Sequence, residues 1–501
     1  MIYGILTKTI AKTIALFAPA AANNYLKNHN ILRGYTAAKN SGIDRTIRPA
    51  QQSGAQEINQ AWQLVANKAR DLVQNNPYVS GMQKRFVTTA IGEGSWPRPK
   101  VYRGNDKFDF DKELNQEIVK RFEKWADDAC ANGDTFYQLQ RIALRAMFTD
   151  GTFLIRKHRI RGELKLEGLE GDYLDKLRDV DNGKERIVGG VELDQFNKPI
   201  AYWLKKRFPS ENNTDSVRVP ADQIIHLYDR QRASHVSGIC HFASVVMNLY
   251  GVNEYRQATM NLARVATGFG VFVESPYPQD MFGGAGAETD EAGNEYQFVT
   301  PGGIHYLRPG EKVGQVKPEN PGAQYESFLR NELRAASVGA GVSYESISND
   351  ASQGSFSSTR QMLLFERAMA RYTFSILEEK FFNKVYDWFI NHEYDFNGLR
   401  LPNFEQDKHR YMACSWSRPK TEWVDPLKDT KAAKLEVEMG INSLSELAET
   451  AGRDIEEIVA TRKYEKELFE KAGFAYGSDG LPAEAAEDFI NEVTEIEQEQ
   501  G

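Results

Sequence analysis

The chain is 501 residues long, 41% hydrophobic and 26% charged, an ordinary globular composition with room for about two to four compact units, each burying its own core. Its 27 Phe, 22 Tyr and 7 Trp exclude disorder through the body of the protein. The net charge of −8, from 62 basic and 70 acidic residues, excludes a protein that wraps DNA by neutralising phosphates, so a DNA partner would slide past rather than be gripped.

The first fifty residues carry Lys8, Lys12, Lys27, Arg33, Lys39, Arg45 and Arg48 against Asp44 alone. Blocks of one sign read as solvated ends, which predicts a basic arm over 1–56. Within it the apolar run Ile14 to Ala22 follows two lysines, superficially like a signal peptide. The run is short and broken by Pro19, so secretion is not expected. Apolar residues three and four apart predict helices over Glu57–Asn76 and Tyr78–Gly92, separated at Asn75-Asn76-Pro77. A second pair is predicted over Asp109–Asn132 and Phe136–Asp150. Strand signals then take over at Thr152–His158, Glu163–Glu167, Val188–Leu193 and Ile200–Lys206, punctuated by Gly, Asp and Asn. His226 and Tyr228 sit in a further strand-like run and read as structural.

From Phe242 to Gly268 there is a long helical pattern without proline, spanning roughly 40 Å at the helical rise. A Gly- and Pro-rich stretch, Ser275 to Pro321, follows, with strand-like pieces at Gln297–Thr300 and Gly303–Leu307. Gln324–Ala340 is predicted helical, Gly341–Ser357 a polar loop with Ser357 or Ser358 capping the next helix, and Ser358–Glu393 a second very long helix. Apolar on most faces, from Met362 and Phe365 to Trp388 and Phe389, that helix is expected to be buried by neighbours, other subunits among them. The tail from Tyr476 to Gly501 has eight acids and neither Lys nor Arg.

Catalytic signatures are missing from this pattern. There is no GxxxxGK[ST], GxSxG or GxGxxG. Cys130, Cys240 and Cys414 are far apart and in no CxxC pair, which points to a reducing compartment rather than a disulfide framework. The histidines form no HExxH, and His235 and His241, flanking Gly238 in a loop, are not expected to be ligands. No cofactor, metal or catalytic residue is predicted.

Four stretches in order resemble the lambda-like portal protein family of tailed bacteriophages. They are "ARDLVQNNPYVSGMQKRFVTTAIGEG" (Ala69–Gly94), "VPADQIIHLYDRQRASHVSGICHFASVV" (Val219–Val246), "GVSYESISNDASQGSFSSTRQMLLFERA" (Gly341–Ala368) and "WVDPLKDTKAAKLEVEMGINSLSELAETAGRDIEEI" (Trp423–Ile458). Taken together they span roughly Ala69 to Ile458. The family's segment before the first helix is matched only loosely, and the His235–Gly238 loop lacks its Gln-x-Arg-Gly form.

The resemblance implies an α+β, mainly helical portal-type fold assembled as a dodecameric ring around a DNA channel. Mapped onto this chain, 57–241 would be the wing, 242–268 and 323–340 the two stem helices, and 269–322 the clip. The tunnel loop would be 341–357, the long wing helix and its return 358–424, and the helical crown 425–475, ending in an acidic tail over 476–501. Glu345, Ser348, Asn349, Asp350 and Gln353 would line the channel. Lys312, Lys317, Arg330 and Arg334 are candidates for phosphate contacts, although Arg330 is also spaced to pair with Glu326. Implied partners are further copies of the chain, double-stranded DNA, the packaging terminase, a head–tail connector and the major capsid protein, with no membrane. The expected location is the portal vertex of the virion, after assembly in host cytoplasm. The competing expectations are a phage head-associated nuclease or protease, and a peripheral membrane protein anchored by its N-terminus.

Overall fold

The computed structural model describes residues 52–103, 109–183, 185–208, 215–268, 272–274, 288–289, 295–296, 312–314, 325–350, 352, 355–420, 426–453 and 455–471. The chain divides into Met1–Ser53 and Gly54–Gly501, and the described elements belong to the second unit. Residues 1–51 of the basic arm, the acidic tail and the two strand-like pieces between 297 and 307 lie outside the described residues, and the helix predicted from Glu57 already begins at Gly54, inside the predicted arm.

Helix α1 (Gly54–Asn75) buries a stripe of Ile58, Trp62, Ala66, Ala69 and Leu72, the spacing of a single helical face. It stops where Asn76 accepts from the Tyr78 and Val79 amides and Pro77 opens α2 (Pro77–Ile91), since proline at the first helical position costs no hydrogen bond. After a short strand β1 (Pro97–Pro99), α3 runs only from Lys112 to Ala126, shorter than the predicted Asp109–Asn132. Beyond it the backbone of Ala129 and Ala131 bonds to Leu166 instead of continuing the helix. Thr135 caps α4 (Phe136–Thr149).

A three-stranded antiparallel sheet follows, β2 (Phe153–Ile160) lying between β3 (Glu163–Glu170) and β9 (Ile224–Leu227). A five-stranded antiparallel sheet runs in chain order through β4 (Val180–Asp181), β5 (Arg186–Val188), β6 (Val191–Leu193), β7 (Pro199–Lys205) and β8 (Ser216–Pro220). The predicted strand Val188–Leu193 is in fact a hairpin. Gly189 and Gly190 both have positive φ, 54° and 80°, as a tight hairpin turn requires. A Cβ on Gly190 would fall 2.8 Å from the Asp175 carbonyl oxygen. His226 and Tyr228 are buried at the end of β9 and just beyond it, in keeping with a structural role.

A short 3-10 turn leads into α5 (Val246–Gly268), and α6 (Tyr325–Ala340) packs against it. Asn248 bonds Glu332 at 3.2 Å, while Tyr255 stacks on Tyr325 at 5.7 Å. Numbers rising on one helix meet numbers falling on the other, so the two are antiparallel. Between them in sequence, β10 (Phe272–Glu274) pairs with β13 (Lys312–Gly314), and β11 (Glu288–Thr289) with β12 (Glu295–Tyr296). A short helix α7 (Tyr344–Ser348) follows α6.

One unbroken helical run then covers α8 (Phe356–Leu377), a π-helical turn at Glu378–Phe382 and α9 (Asn383–Phe396). Its second half is buried by this chain itself. Phe374, Phe381, Phe382 and Phe389 enter the main core with Phe122, Phe136 and Trp416, ring centroids mostly 5–6 Å apart. The first half leaves large apolar side chains outside, with Met362, Leu364 and Phe365 all exposed, whereas the second half does so only at its end, with Tyr394 and Phe396. The burial expected from neighbouring subunits therefore applies to half a helix at most. After α10 (Lys408–Tyr411), β14 (Cys414–Trp416) pairs with β1. The last described elements are α11 (Pro426–Glu438), α12 (Leu444–Thr450) and α13 (Ile455–Lys471).

Candidate functional site

The segment joining α6 to α8 is built from small local devices. Leu333, Ala336 and Ala340 seat α6 in a core with Val245 and Leu249. Gly341, with φ 65°, turns the chain out of the helix, and the Val342 amide closes that turn on the Ser337 carbonyl at 3.2 Å. The Ser343 hydroxyl then caps α7 by accepting from the Ser346 amide at 3.2 Å. Asn349 ends α7 in the left-handed region at φ 52°. The segment expected to be a polar loop thus contains a helical turn, with Ile347 buried beneath it.

A buried carboxylate holds this segment to the long helix. The Ser343 amide donates to Glu366 Oε1 at 2.7 Å, and the Arg85 guanidinium from α2 donates to Oε2 at 3.3 Å. Glu366 is only 4% exposed. Burial pushes its carboxyl up, but the hydrogen bonds from Ser343 and Ser346 and the charge of Arg85 together outweigh that and hold it below its ordinary value. His241 and Gly341 line a small cavity beside it.

The predicted channel-lining residues are placed as follows. Glu345 and Ser348 are half-buried, Asn349 is exposed, and Gln353 lies outside the described residues. The Ser348 hydroxyl donates to the Tyr344 carbonyl at 2.8 Å and accepts from the Asp350 amide at 3.2 Å. Asp350 accepts from the Ser352 hydroxyl at 2.6 Å and the Ser352 amide at 3.0 Å. Those bonds, with a smaller pull from the charge of Arg330, keep its carboxyl low. Ser355, not Ser357 or Ser358, caps α8, accepting from the Ser358 amide at 3.2 Å.

Of the basic candidates, Arg330 forms the predicted ion pair with Glu326, and the exposed Arg334 holds its guanidinium 5.5 Å from the Tyr344 ring. Arg330, Arg334, Tyr344 and Asp350 therefore lie together where α6 meets the loop. Lys312 is described only through its backbone pairing with Glu274, and Lys317 lies outside the described residues.

Among the charged clusters of the described residues that the sequence does not reveal, two tie distant elements through largely buried carboxylates. One is Arg85–Glu366. The other is Arg70 of α1, which makes a bidentate pair with Asp150 at 2.8 Å and also bonds Asp172, tying α1 to the start and end of the β2–β3 hairpin. Burial pushes the Asp150 carboxyl up against the pull of Arg70. Arg70 and Glu366 each sit within a stretch already singled out by its pattern, but nothing local names their distant partners. Among the described residues no group of His, Cys, Asp and Glu has a metal-binding arrangement, and no helix is long and apolar enough to cross a membrane.

An antiparallel helix pair, a capped turn at its end and a buried carboxylate that anchors the turn to a third long helix define a mechanical element, one that fixes where a polar loop stands. The comparisons give this class its family. The family described as phage portal protein, lambda family, matches residues 40–373, and the chain belongs to that family.

Relatives include a probable portal protein of Halomonas phage phiHAP-1, 24% identical over 464 residues covering 84% of this chain and 86% of the relative. Portal protein B of Escherichia phage lambda is 22% identical over 212 residues, 39% of this chain and 37% of that protein. Among solved structures, the neck of an empty gene transfer agent particle computed with C6 symmetry aligns with 77% of this chain and 93% of its own, at 11% identity and a TM-score of 0.42. The virion of a native gene transfer agent particle aligns with 80% and 99%, at 12% identity and the same TM-score.

Proposed function

We propose that this portal protein assembles as a closed dodecameric ring whose axial channel conducts double-stranded DNA at one vertex of the phage head. In this reading α5 and α6 are the stem, 269–322 the clip, 341–357 the tunnel loop, α8 and α9 the wing helix, and α11 to α13 the crown. The ring would dock the packaging terminase and later the head–tail connector, seated among major capsid protein, after assembly in host cytoplasm. Its work would be mechanical, without catalysis. The observation that supports the proposal is the segment Gly341–Asp350, with serine hydroxyls and carboxylates on a capped turn, held by Glu366 at the end of an antiparallel helix pair.

Channels for moving DNA must avoid deep phosphate wells, because each new contact adds to what the motor pulls against. Hydroxyls that serve the loop's own backbone, with the acids Glu345 and Asp350, suit that requirement. Asp350→Lys would place a collar of cations in the ring beside Arg330 and Arg334. In vitro packaging with assembled rings is expected to slow at low salt and to recover partly as salt screens the collar over ~8–10 Å. Asp350→Asn, which keeps an acceptor for Ser352, is expected to package normally. Wild-type rates for Asp350→Lys rings at low salt would take the segment out of the channel.

A further inference from the structure

A groove of about 1040 Å³ opens between α8 and α2 on one side and α12 on the other. Its floor is apolar, with Leu363, Leu364 and Phe374 from α8 and Ala90 from α2. Leu364 is 52% exposed, so the floor carries apolar surface that folding of the described residues leaves wet. The rim is cationic: Arg367 and Arg371 stand on α8, and Lys420 and Arg418, the latter also 3.9 Å from Glu378, on the irregular segment after β14. Glu446 and Glu449 line the α12 wall, but Glu446 is engaged in the capping box at Ser443. An occupant that satisfies both floor and rim needs an apolar stripe flanked by carboxylates.

The chain itself contains one such segment. After Lys471 the sequence continues to Gly501, and residues 483–500 read AEAAEDFINEVTEIEQEQ. Ala486, Phe489, Ile490, Val493 and Ile496 recur at steps of three and four, the spacing of one helical face. Acids fill the positions between them, and no Lys or Arg occurs. Its place in the chain also fits. α13 begins at the turn that follows α12, where the Arg453 amide bonds the Ala448 carbonyl at 2.9 Å. A helix of 17 residues carries Lys471 no further than about 25 Å from that turn. Residues 472–482 could bridge up to ~36 Å when extended.

We propose that the groove holds the acidic segment 483–500 of the same chain, with Phe489 and Ile490 on Leu363 and Leu364 and the flanking carboxylates facing the cationic rim. Nucleic acid would answer the rim but leave the floor uncovered. A tethered segment also has a local concentration in the millimolar range, above that of a free competitor.

The test uses the full-length chain in a Cys414→Ser background, since Cys130 and Cys240 are buried. Thr88→Cys on the groove wall combined with Asn491→Cys, a pair that leaves the apolar anchors in place, should cross-link within one chain through a short bismaleimide at least about tenfold faster than Phe196→Cys, at a position 79% exposed, with Asn491→Cys, because a docked residue is presented at a higher effective concentration than one colliding at random. High salt and the pair Arg371→Glu/Lys420→Glu should each slow it. Equal rates for the two cysteine pairs overturn the proposal, and a cross-link between chains overturns it in favour of a second copy. A cysteine-free readout guards against a misfolded variant: amide hydrogen exchange over Leu363–Phe374 should quicken in Phe489→Asp/Ile490→Asp. Unchanged exchange in that variant, with protection conferred instead by a short DNA duplex, would make the groove a nucleic-acid surface and end the proposal.

Discussion

At the scale of single residues, Glu366 has the largest structural consequence in the loop region. Its carboxylate satisfies a buried backbone amide, that of Ser343, and an amide left without an acceptor in such a place costs ~1–3 kcal/mol. The Arg85 contact adds less, because 3.3 Å is long and the Arg85 side chain is 43% exposed. Glu366→Ala is therefore expected to lower unfolding stability by ~1–3 kcal/mol in urea titrations, while Glu366→Gln, which keeps an acceptor, should lose less. The pH dependence has a definite sign. A carboxyl held below its ordinary value in the folded protein contributes stability that is present above the unfolded value of 4.5 and lost as pH falls through the lower folded value. The stability gap between wild type and Glu366→Gln should shrink on acidification below about pH 4.5; a gap constant from pH 7 downwards would show that the charge does not matter there.

At the scale of elements, helix ends were set by side chains of modest size. Asn76, Thr135, Ser343 and Ser355 each cap a helix by accepting from an amide two or three residues on. The choice of Ser355 over Ser357 or Ser358 turns on backbone geometry. Ser355 has extended φ and ψ, −76° and 155°, whereas the other two already lie inside α8. Ser355→Ala should cost about 1 kcal/mol and Ser357→Ala much less, measured by chemical denaturation. Equal costs would mean that the cap does not set the start of the helix. The π-helical turn at Glu378–Phe382 shows an element decided by its surroundings. Its extra residue per turn lets Phe381 and Phe382, adjacent in sequence, both enter the core at 0% exposure, an arrangement a regular helical pattern does not anticipate.

At the scale of the whole molecule, the apolar side chains that a single chain leaves outside bear on assembly. Val338, near the end of α6, is 84% exposed, and Met247, on the helix paired with it, is 62% exposed. In the proposed ring these positions face neighbouring stems. Val338→Lys places a cation near a helix C-terminus, where it is tolerated, so the fold should keep its stability within ~0.5 kcal/mol. Closed rings counted by mass photometry should nevertheless become scarce. Rings at wild-type yield would remove this face from the interface.

Much of this protein was legible without coordinates. The periodicities, the Asn-Pro break between α1 and α2 and the order of the four portal-like stretches are local or ordered signals carried by neighbouring residues. They were sufficient for the long helices, for β2, β3, β7 and β9, and for the family. What only the tertiary structure decided is long in sequence and short in space. The Ser343–Glu366 and Arg85–Glu366 contacts and the pairing of β1 with β14 across more than 300 residues belong here. So do the Arg70–Asp150–Asp172 cluster and the burial of α9 by its own chain rather than by a neighbour. Periodicity records which face of an element is apolar but not what covers it, and a charged side chain's partner is set by where the backbone brings distant segments together.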